Sequence, residues 1–425
     1  MPSAAKPVDT DVAHQAEGRS GLRELLGTLG PGFISGASDN DPTTVGTLAV
    51  VGATTRYGLS WLVLFLLPML ASVQIISARV GIVTHRSLQE VVRGRYRLVA
   101  AQVLLVSVLA VNLITIGADL EAGAAALGLL IPVAWRLFVA PYALVLLALL
   151  VFGTYRKIER VLSYVLLVFV VYVAAAVLAH PNWGTVLRDT VVPHLSLSKT
   201  YVEGALSLLG TTLTSYAYVW ETIEQSEKRL HVERLGLAQA DAGVGMIAAV
   251  AIFWFILIAT AATLGVHHQS VQTAQDAARA LQPAAGRLAS ALFGVGLLAS
   301  SVLAVPVLAA TSAYVLAQQL HWRSGLSERF HRARPFYLAV GVALLLAVGI
   351  ALAGVSAIDL LFWAGIAGGL GTPISLAFLL SVARDRTVMG ERRIGPLLLV
   401  LGWGTALVVS AASLYFLWQT LAGLI

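Results

Sequence analysis

The chain has no cysteine. That rules out disulfides and thiolate metal sites and leaves any bound metal to oxygen or nitrogen ligands. It is also poor in charge: Asp, Glu, Lys and Arg make up 12% of 425 residues, against 58% hydrophobic ones, too little polarity to cover the surface of a soluble fold of this length. No polar block is long enough for a separate soluble domain, and no ATP-binding loop, Gly-x-Ser-x-Gly or His-Glu-x-x-His occurs. Those absences count against a nucleotide-driven pump and against a membrane hydrolase or transferase. What is present, from end to end, is apolar sequence in runs long enough to cross a hydrocarbon layer of about 30 Å. The expectation is an all-α integral membrane protein with one membrane domain, residues 21–425, after a flexible tail over residues 1–20 that lacks a signal-peptide core. The net charge of +6 needs no nucleic acid, and the sequence points to no obligate protein partner and no cofactor.

About eleven transmembrane helices are predicted, near residues 22–54, 58–84, 97–127, 132–153, 156–179, 200–227, 235–265, 282–319, 335–353, 356–383 and 395–421. Alternate connections carry HRSLQEVVRGRYR, YRKIER, SEKRLHVERLG, HWRSGLSERFHRAR and ARDRTVMGERR, all rich in Arg and Lys. The positive-inside rule makes that side cytoplasmic. The N-terminus then lies in the cytoplasm and the C-terminus outside, in what is expected to be a plasma (inner) membrane. The long polar connection HPNWGTVLRDTVVPHLSLSKT, with its prolines, is expected to hold little regular structure.

The first span is interrupted. GPGFISGASDNDPTTVGT places Asp39, Asn40, Asp41 and Pro42 in a row at about mid-bilayer. Pro42 lacks an N–H and disfavours helix in the residue before it, so the helix should break near Asn40 and Asp41. Irregular backbone at that depth is tolerated only beside a cavity or inside protein. A central Asp costs about 2.5–3.5 kcal/mol on insertion scales, a cost that a bound cation would offset. Alternatively, Asp39 and Asp41 cap the half-helix that follows.

The sixth span has a counterpart, LLGTTLTSYAYVWETIEQSEKR, where Gly210, Thr211, Thr212, Thr214 and Ser215 form a run of poor helix formers. Spans one and six are five apart and enter from opposite faces. Two inverted five-helix repeats meeting at a midplane site would produce that arrangement, with repeat one near 22–179, repeat two near 200–383 and an extra helix near 395–421. Half-helices ending there would aim their negative dipole ends at a cation. Hydroxyls, carbonyls and a carboxylate suit hard divalent ions such as Mg²⁺ or Mn²⁺.

GPGFISGASDNDPTT, GADL in span three, YRKIERVL, GTTLTSYAYVWETIEQSE and SSVLAVPVLAATSAYVLAQ together resemble the NRAMP family of divalent metal transporters over nearly the whole chain. The resemblance is strongest to the divergent branch associated with magnesium. It implies the LeuT-like fold of two inverted repeats with broken helices one and six, and alternating access. It also implies a site matched by Asp41 and by Thr44, which stands where the manganese and iron transporters keep Asn. Thr214 replaces their soft Met ligand, Tyr216 replaces their His, and Ser215 and Ala217 complete the candidate metal set. Loss of the thioether favours hard ions, and loss of the His weakens the case for proton coupling. A proton-coupled Mn²⁺/Fe²⁺ symporter is the alternative. An amino-acid carrier on the same fold is a weaker one, since Asp41 would repel a substrate carboxylate.

Asp119 matches the family's third-span acid, while the Glu expected three residues later is Ala122, with Glu121 shifted to another helix face. Asp119, Tyr216, Glu221 and Glu224 are the candidates for a cation or proton pathway. Glu221 and Glu224, one turn apart, suit an aqueous exit path or a solvated helix end. Asn112 and Gln102 are expected as interhelical hydrogen bonders, His267 and His268 as an ordinary loop pair, and Asp241 and Glu159 as structural charges at helix ends.

Overall fold

A computed structural model describes residues 40–152, 171–228, 235–267 and 269–422. The tail, the first half of span one with Asp39, most of span five with Glu159, and His268 lie outside the described residues, as does the side chain of Asp241.

Every regular element among the described residues is helical. In chain order the longer ones are α1 (Pro42–Thr55), α2 (Ser60–Thr84), α3 (Leu88–Arg95), α4 (Leu98–Leu130), α5 (Arg136–Phe152), α6 (Trp183–Val191), α7 (Lys199–Thr212) and α8 (Ser215–Lys228). They are followed by α9 (Leu235–Thr260), α10 (Ala289–Leu320), α11 (Arg334–Ala351), α12 (Ala357–Arg384) and α13 (Pro396–Ala422). Seven described stretches are long and apolar enough to cross a membrane. The expected spans two, three, four and seven to eleven each coincide with a helix, and span six is divided into α7 and α8.

Two short half-helices occupy the centre. α1 buries Pro42 to Ala49 and Val51 to Ala53, so it has no polar face, as expected of a helix enclosed by others. It packs against α7, α9 and α12. The outer helices can leave apolar side chains exposed because lipid is their solvent: Leu338, Leu345, Leu407 and Leu414 are each more than 60% exposed.

Two expectations need correction. The long polar connection is not irregular, because it contains α6. Asn182 caps α6 by accepting from Thr185 N at 3.1 Å, and the helix turns Val186 and Thr190 inward, where Thr190 receives the Trp254 indole N–H at 3.0 Å. Asparagine capping and one apolar face outweigh the turn signal of the flanking prolines. Span eight begins later than expected, at Ala289, because Gly286 adopts φ +51° and divides the preceding turns from α10.

Candidate functional site

The first turn of a helix leaves N–H groups without intrahelical partners. Pro42 opens α1 and removes one of them. Thr44 N donates to Asp41 Oδ1 at 2.7 Å, so Asp41 is a true N-cap. Thr43 N donates to Asp119 Oδ1 at 3.0 Å, and Thr43 Oγ1 donates to the same oxygen at 2.6 Å. Two carboxylates from different spans therefore sit at the positive end of one helix dipole. Both residues are almost wholly enclosed, with Asp41 2% and Asp119 0% exposed. Asp119 Oδ2 has no hydrogen-bond partner among the described residues. The main chain at Asp119 is anchored as well, since Ser301 Oγ of α10 donates to its carbonyl at 2.7 Å and Tyr142 donates to Ser301 at 2.8 Å.

Span six breaks at Leu213 and Thr214, between α7 and α8. The carbonyl that the break frees on Leu213 is met by Thr372 Oγ1 of α12 at 2.8 Å. The hydroxyls of Thr214 and Ser215 are buried and have no hydrogen-bond partner among the described residues. Such orphans cost free energy in a dry interior unless something polar joins them. The next residue, Tyr216, donates its phenol O–H to Asp41 Oδ2 at 3.1 Å, which ties the break in span six to the start of α1.

α1 and α7 run antiparallel and are joined by rungs of hydroxyls: Thr44 Oγ1 lies 3.1 Å from Thr211 Oγ1, and Thr47 Oγ1 lies 3.2 Å from Ser207 Oγ. Ser207 donates onward to the Phe362 carbonyl of α12 at 2.9 Å. That close three-helix contact needs glycine. A Cβ on Gly210 would lie 2.0 Å from the Gly365 carbonyl oxygen and 2.1 Å from Gly369 N.

Of the residues expected at the site, Thr44 and Tyr216 are therefore hydrogen-bonded to Asp41, Asp119 holds the neighbouring Thr43, and Thr214 and Ser215 stand at the break beside them. Ala217 lies in the first turn of α8 and could contribute only its carbonyl. Glu221 is buried and accepts from Gln225 Nε2 at 2.9 Å. Glu224 pairs with Lys228 at 2.6 Å, as at a solvated helix end. Asn112 does bridge helices, donating to Ser312 at 3.1 Å, whereas Gln102 is exposed and makes no hydrogen bond to a described residue. His267 lines a cavity of about 750 Å³ beside Arg279 and Gln282, away from the break.

Sequence reasoning assigned neither Thr43 nor Thr211 to the site, although Thr211 was part of the run that marked the break. Both follow a helix breaker within a few residues, and that position was the available signal. It also gave Glu121 no role. Glu121 is fully buried and neither of its carboxylate oxygens has a hydrogen-bond partner among the described residues. Among the described residues, no three His, Cys, Asp or Glu side chains gather as a metal-binding group. A cation at the break would thus be met by Asp41 and neutral oxygens rather than by a cage of charge.

The family match covers this architecture almost completely. Residues 32–419 match the Nramp family, natural resistance-associated macrophage protein-like. This chain belongs to the Nramp family. A divalent metal cation transporter MntH from Ralstonia nicotianae is 32% identical over 94% of this chain and 92% of its own length. A protein with the same description from Deinococcus radiodurans is 28% identical over 96% and 93%. Among solved structures, a manganese transporter of Eremococcus coleocola, crystallised as a point mutant, superposes with TM-score 0.76 at 20% identity, covering 94% of this chain and 87% of that one. Mhp1, a nucleobase-cation-symport-1 family transporter, superposes at 0.60 and 14% identity, covering 92% of each. These structural likenesses establish the LeuT-like fold of this Nramp chain, with α7 and α8 as its broken sixth helix.

Proposed function

We propose that this Nramp chain carries divalent metal cations across a membrane by alternating access, with Asp41 as the anionic ligand and Thr44, Thr214, Ser215 and the Ala217 carbonyl as neutral ones. The observation that carries this reading is the pair of buried hydroxyls at the break in span six that have no partner among the described residues, next in sequence to Tyr216, which donates to Asp41. The relatives described as divalent metal cation transporters support the substrate class.

Preference for hard ions is inferred from the donors. All are oxygen, and Thr214 stands where a soft thioether is found in the manganese and iron transporters of the family. A small hydroxyl-lined site suits Mg²⁺ that keeps some of its waters, and Mn²⁺ is the next candidate. The basic connections support an N-terminus in the cytoplasm, and inward movement across a plasma membrane is part of the same proposal. No obligate protein partner or resident cofactor is part of the proposal.

One observation favours a second reading, a proton-coupled symporter. Asp119 shares a helix end with Asp41 and keeps one oxygen without a partner among the described residues, so a proton on Asp119 would ease the repulsion between the two carboxylates. Uptake in proteoliposomes separates the two readings, with Mg²⁺, Ca²⁺, Mn²⁺ and Cd²⁺ in competition and a pH dye inside. The expected result is metal entry without stoichiometric acidification and at least a hundredfold lower uptake by Asp41→Ala. Undiminished flux in that variant would remove Asp41 from the site, and metal-dependent acidification would establish the symporter.

A further inference from the structure

Two cavities back onto the same end of α10. One is a groove of about 490 Å³ on the lipid-facing side, between Leu109 and Leu113 of α4, Leu316 of α10, and Leu338, Val342 and Leu346 of α11. Those last three are spaced four residues apart, so they form a single stripe along α11, and each is at least half exposed. The groove is closed at one end by Trp322 and Arg334. The second cavity, of about 630 Å³, is lined by Arg86, Glu90, Arg93, Gln318, His321 and again Trp322. The indole is thus a wall common to an apolar groove and a polar pocket. Both Trp322 and the pocket belong to the face that carries the basic connections.

The charges in this region are largely unspent. Arg86 and Arg334 have exposed side chains that make no hydrogen bond or ion pair with a described residue. Arg93 donates once, to the Gln318 carbonyl at 2.9 Å. Glu90 is the opposing charge, and one of its oxygens is already used as a cap, accepting from Ser87 N at 3.0 Å. Two guanidiniums, Arg86 and Arg93, therefore share the pocket with one committed carboxylate, and a third, Arg334, lines the groove that also reaches Trp322. Tryptophan at the interface, a basic pocket at headgroup depth and an apolar channel running into the hydrocarbon are the three parts that a phospholipid with a negative headgroup would require.

We infer that the α4–α10–α11 groove and the pocket beyond Trp322 form one binding site for an anionic phospholipid. An acyl chain lies along Leu338, Val342 and Leu346, and the phosphate is held by Arg334 with Arg86 and Arg93. Each basic side chain near an anionic surface adds attraction, so the headgroup is discriminated by charge. The groove confers affinity for the chain whatever the headgroup.

Purified full-length protein, stripped of lipid in detergent, can be exposed to phosphatidylglycerol or phosphatidylcholine with identical chains and the retained phospholipid counted by native mass spectrometry. The expected result is at least fivefold greater retention of phosphatidylglycerol. The double change Arg86→Gln with Arg334→Gln should remove that preference, and Val342→Trp, which fills the groove at an exposed position, should lower retention of both lipids at least fivefold. Equal retention of the two lipids by the unaltered protein would overturn the inference, as would variants that hold lipid as well as it does. Displacement of the lipid by millimolar inorganic phosphate would overturn it too, by assigning the pocket to free anions, and a doubled mass on delipidation would assign the groove to a second copy. Metal binding by each variant, measured alongside, reports that it is folded, and lipid retention is read independently of transport.

Discussion

At the scale of single residues, the phenol of Tyr216 competes with any cation for Asp41, since it donates to Oδ2. A neutral hydrogen bond contributes about 1 kcal/mol net. Tyr216→Phe, which keeps the ring and its packing, is therefore expected to tighten Mn²⁺ binding up to about fivefold by titration calorimetry; weaker binding would mean that the hydroxyl helps to hold the ion. Thr214→Met restores a soft donor at a position whose hydroxyl has no partner among the described residues. It should raise affinity for Cd²⁺ and Mn²⁺ relative to Mg²⁺ in competition uptake, and an unchanged ratio would show that residue 214 does not face the substrate. The acidic cluster before Pro42 was legible in the sequence because charge and a helix breaker are both costly at that depth. The Asp119–Thr43 bonds were not, because nothing in a linear pattern says that a carboxylate 76 residues away will share the cap.

At the scale of elements, the half-helix α7 depends on a contact in which backbone meets backbone. Gly210→Ala would place a methyl group 2.0 Å from the Gly365 carbonyl oxygen, and neither partner is a flexible side chain that could swing aside. Overpacking of this kind costs about 1–3 kcal/mol, so the variant should melt several degrees lower in detergent, and an unchanged melting temperature would show that α7 and α12 can separate freely. Span lengths and the break between α7 and α8 could be read from hydropathy and from the Gly–Thr run. α6 could not, because a nine-residue helix between prolines has too short a period to stand out from turn signals. Which faces of α7 and α12 meet was equally hidden, since Gly365 and Gly369 lie in another span.

At the scale of the molecule, the basic face is tied together across the chain. Arg95 Nε of α3 donates to Asp385 Oδ2 and to Thr387 Oγ1, each at 2.9 Å, which links the end of the connection between α2 and α4 to the residues just after α12. The Thr387 hydroxyl and backbone N–H, and then Arg95, hold the Asp385 carboxyl below its ordinary range. A carboxylate with a depressed folded pKa contributes stability above its unfolded pKa of about 3.9 and loses it as pH falls through the folded value. Asp385→Asn should therefore be less stable than the unaltered protein at pH 7, by about 0.5 kcal/mol as for a surface pair. The gap should close below about pH 4, and a difference that persists in acid would exclude ionisation as its source. Orientation, by contrast, is a property of all the connections at once, which is why the sequence could propose it from charge while the helices alone do not assign it.

Thr43 offers both its N–H and its hydroxyl to a single Asp119 oxygen, and this double grip sets how α1 can move. If α1 tilts during transport, both bonds are strained at once, because they share one acceptor oxygen. The fastening then behaves as a latch with a threshold rather than as a spring. Whatever neutralises Asp119 weakens both bonds in one event, so the charge on that carboxyl would set how firmly the start of α1 is fastened.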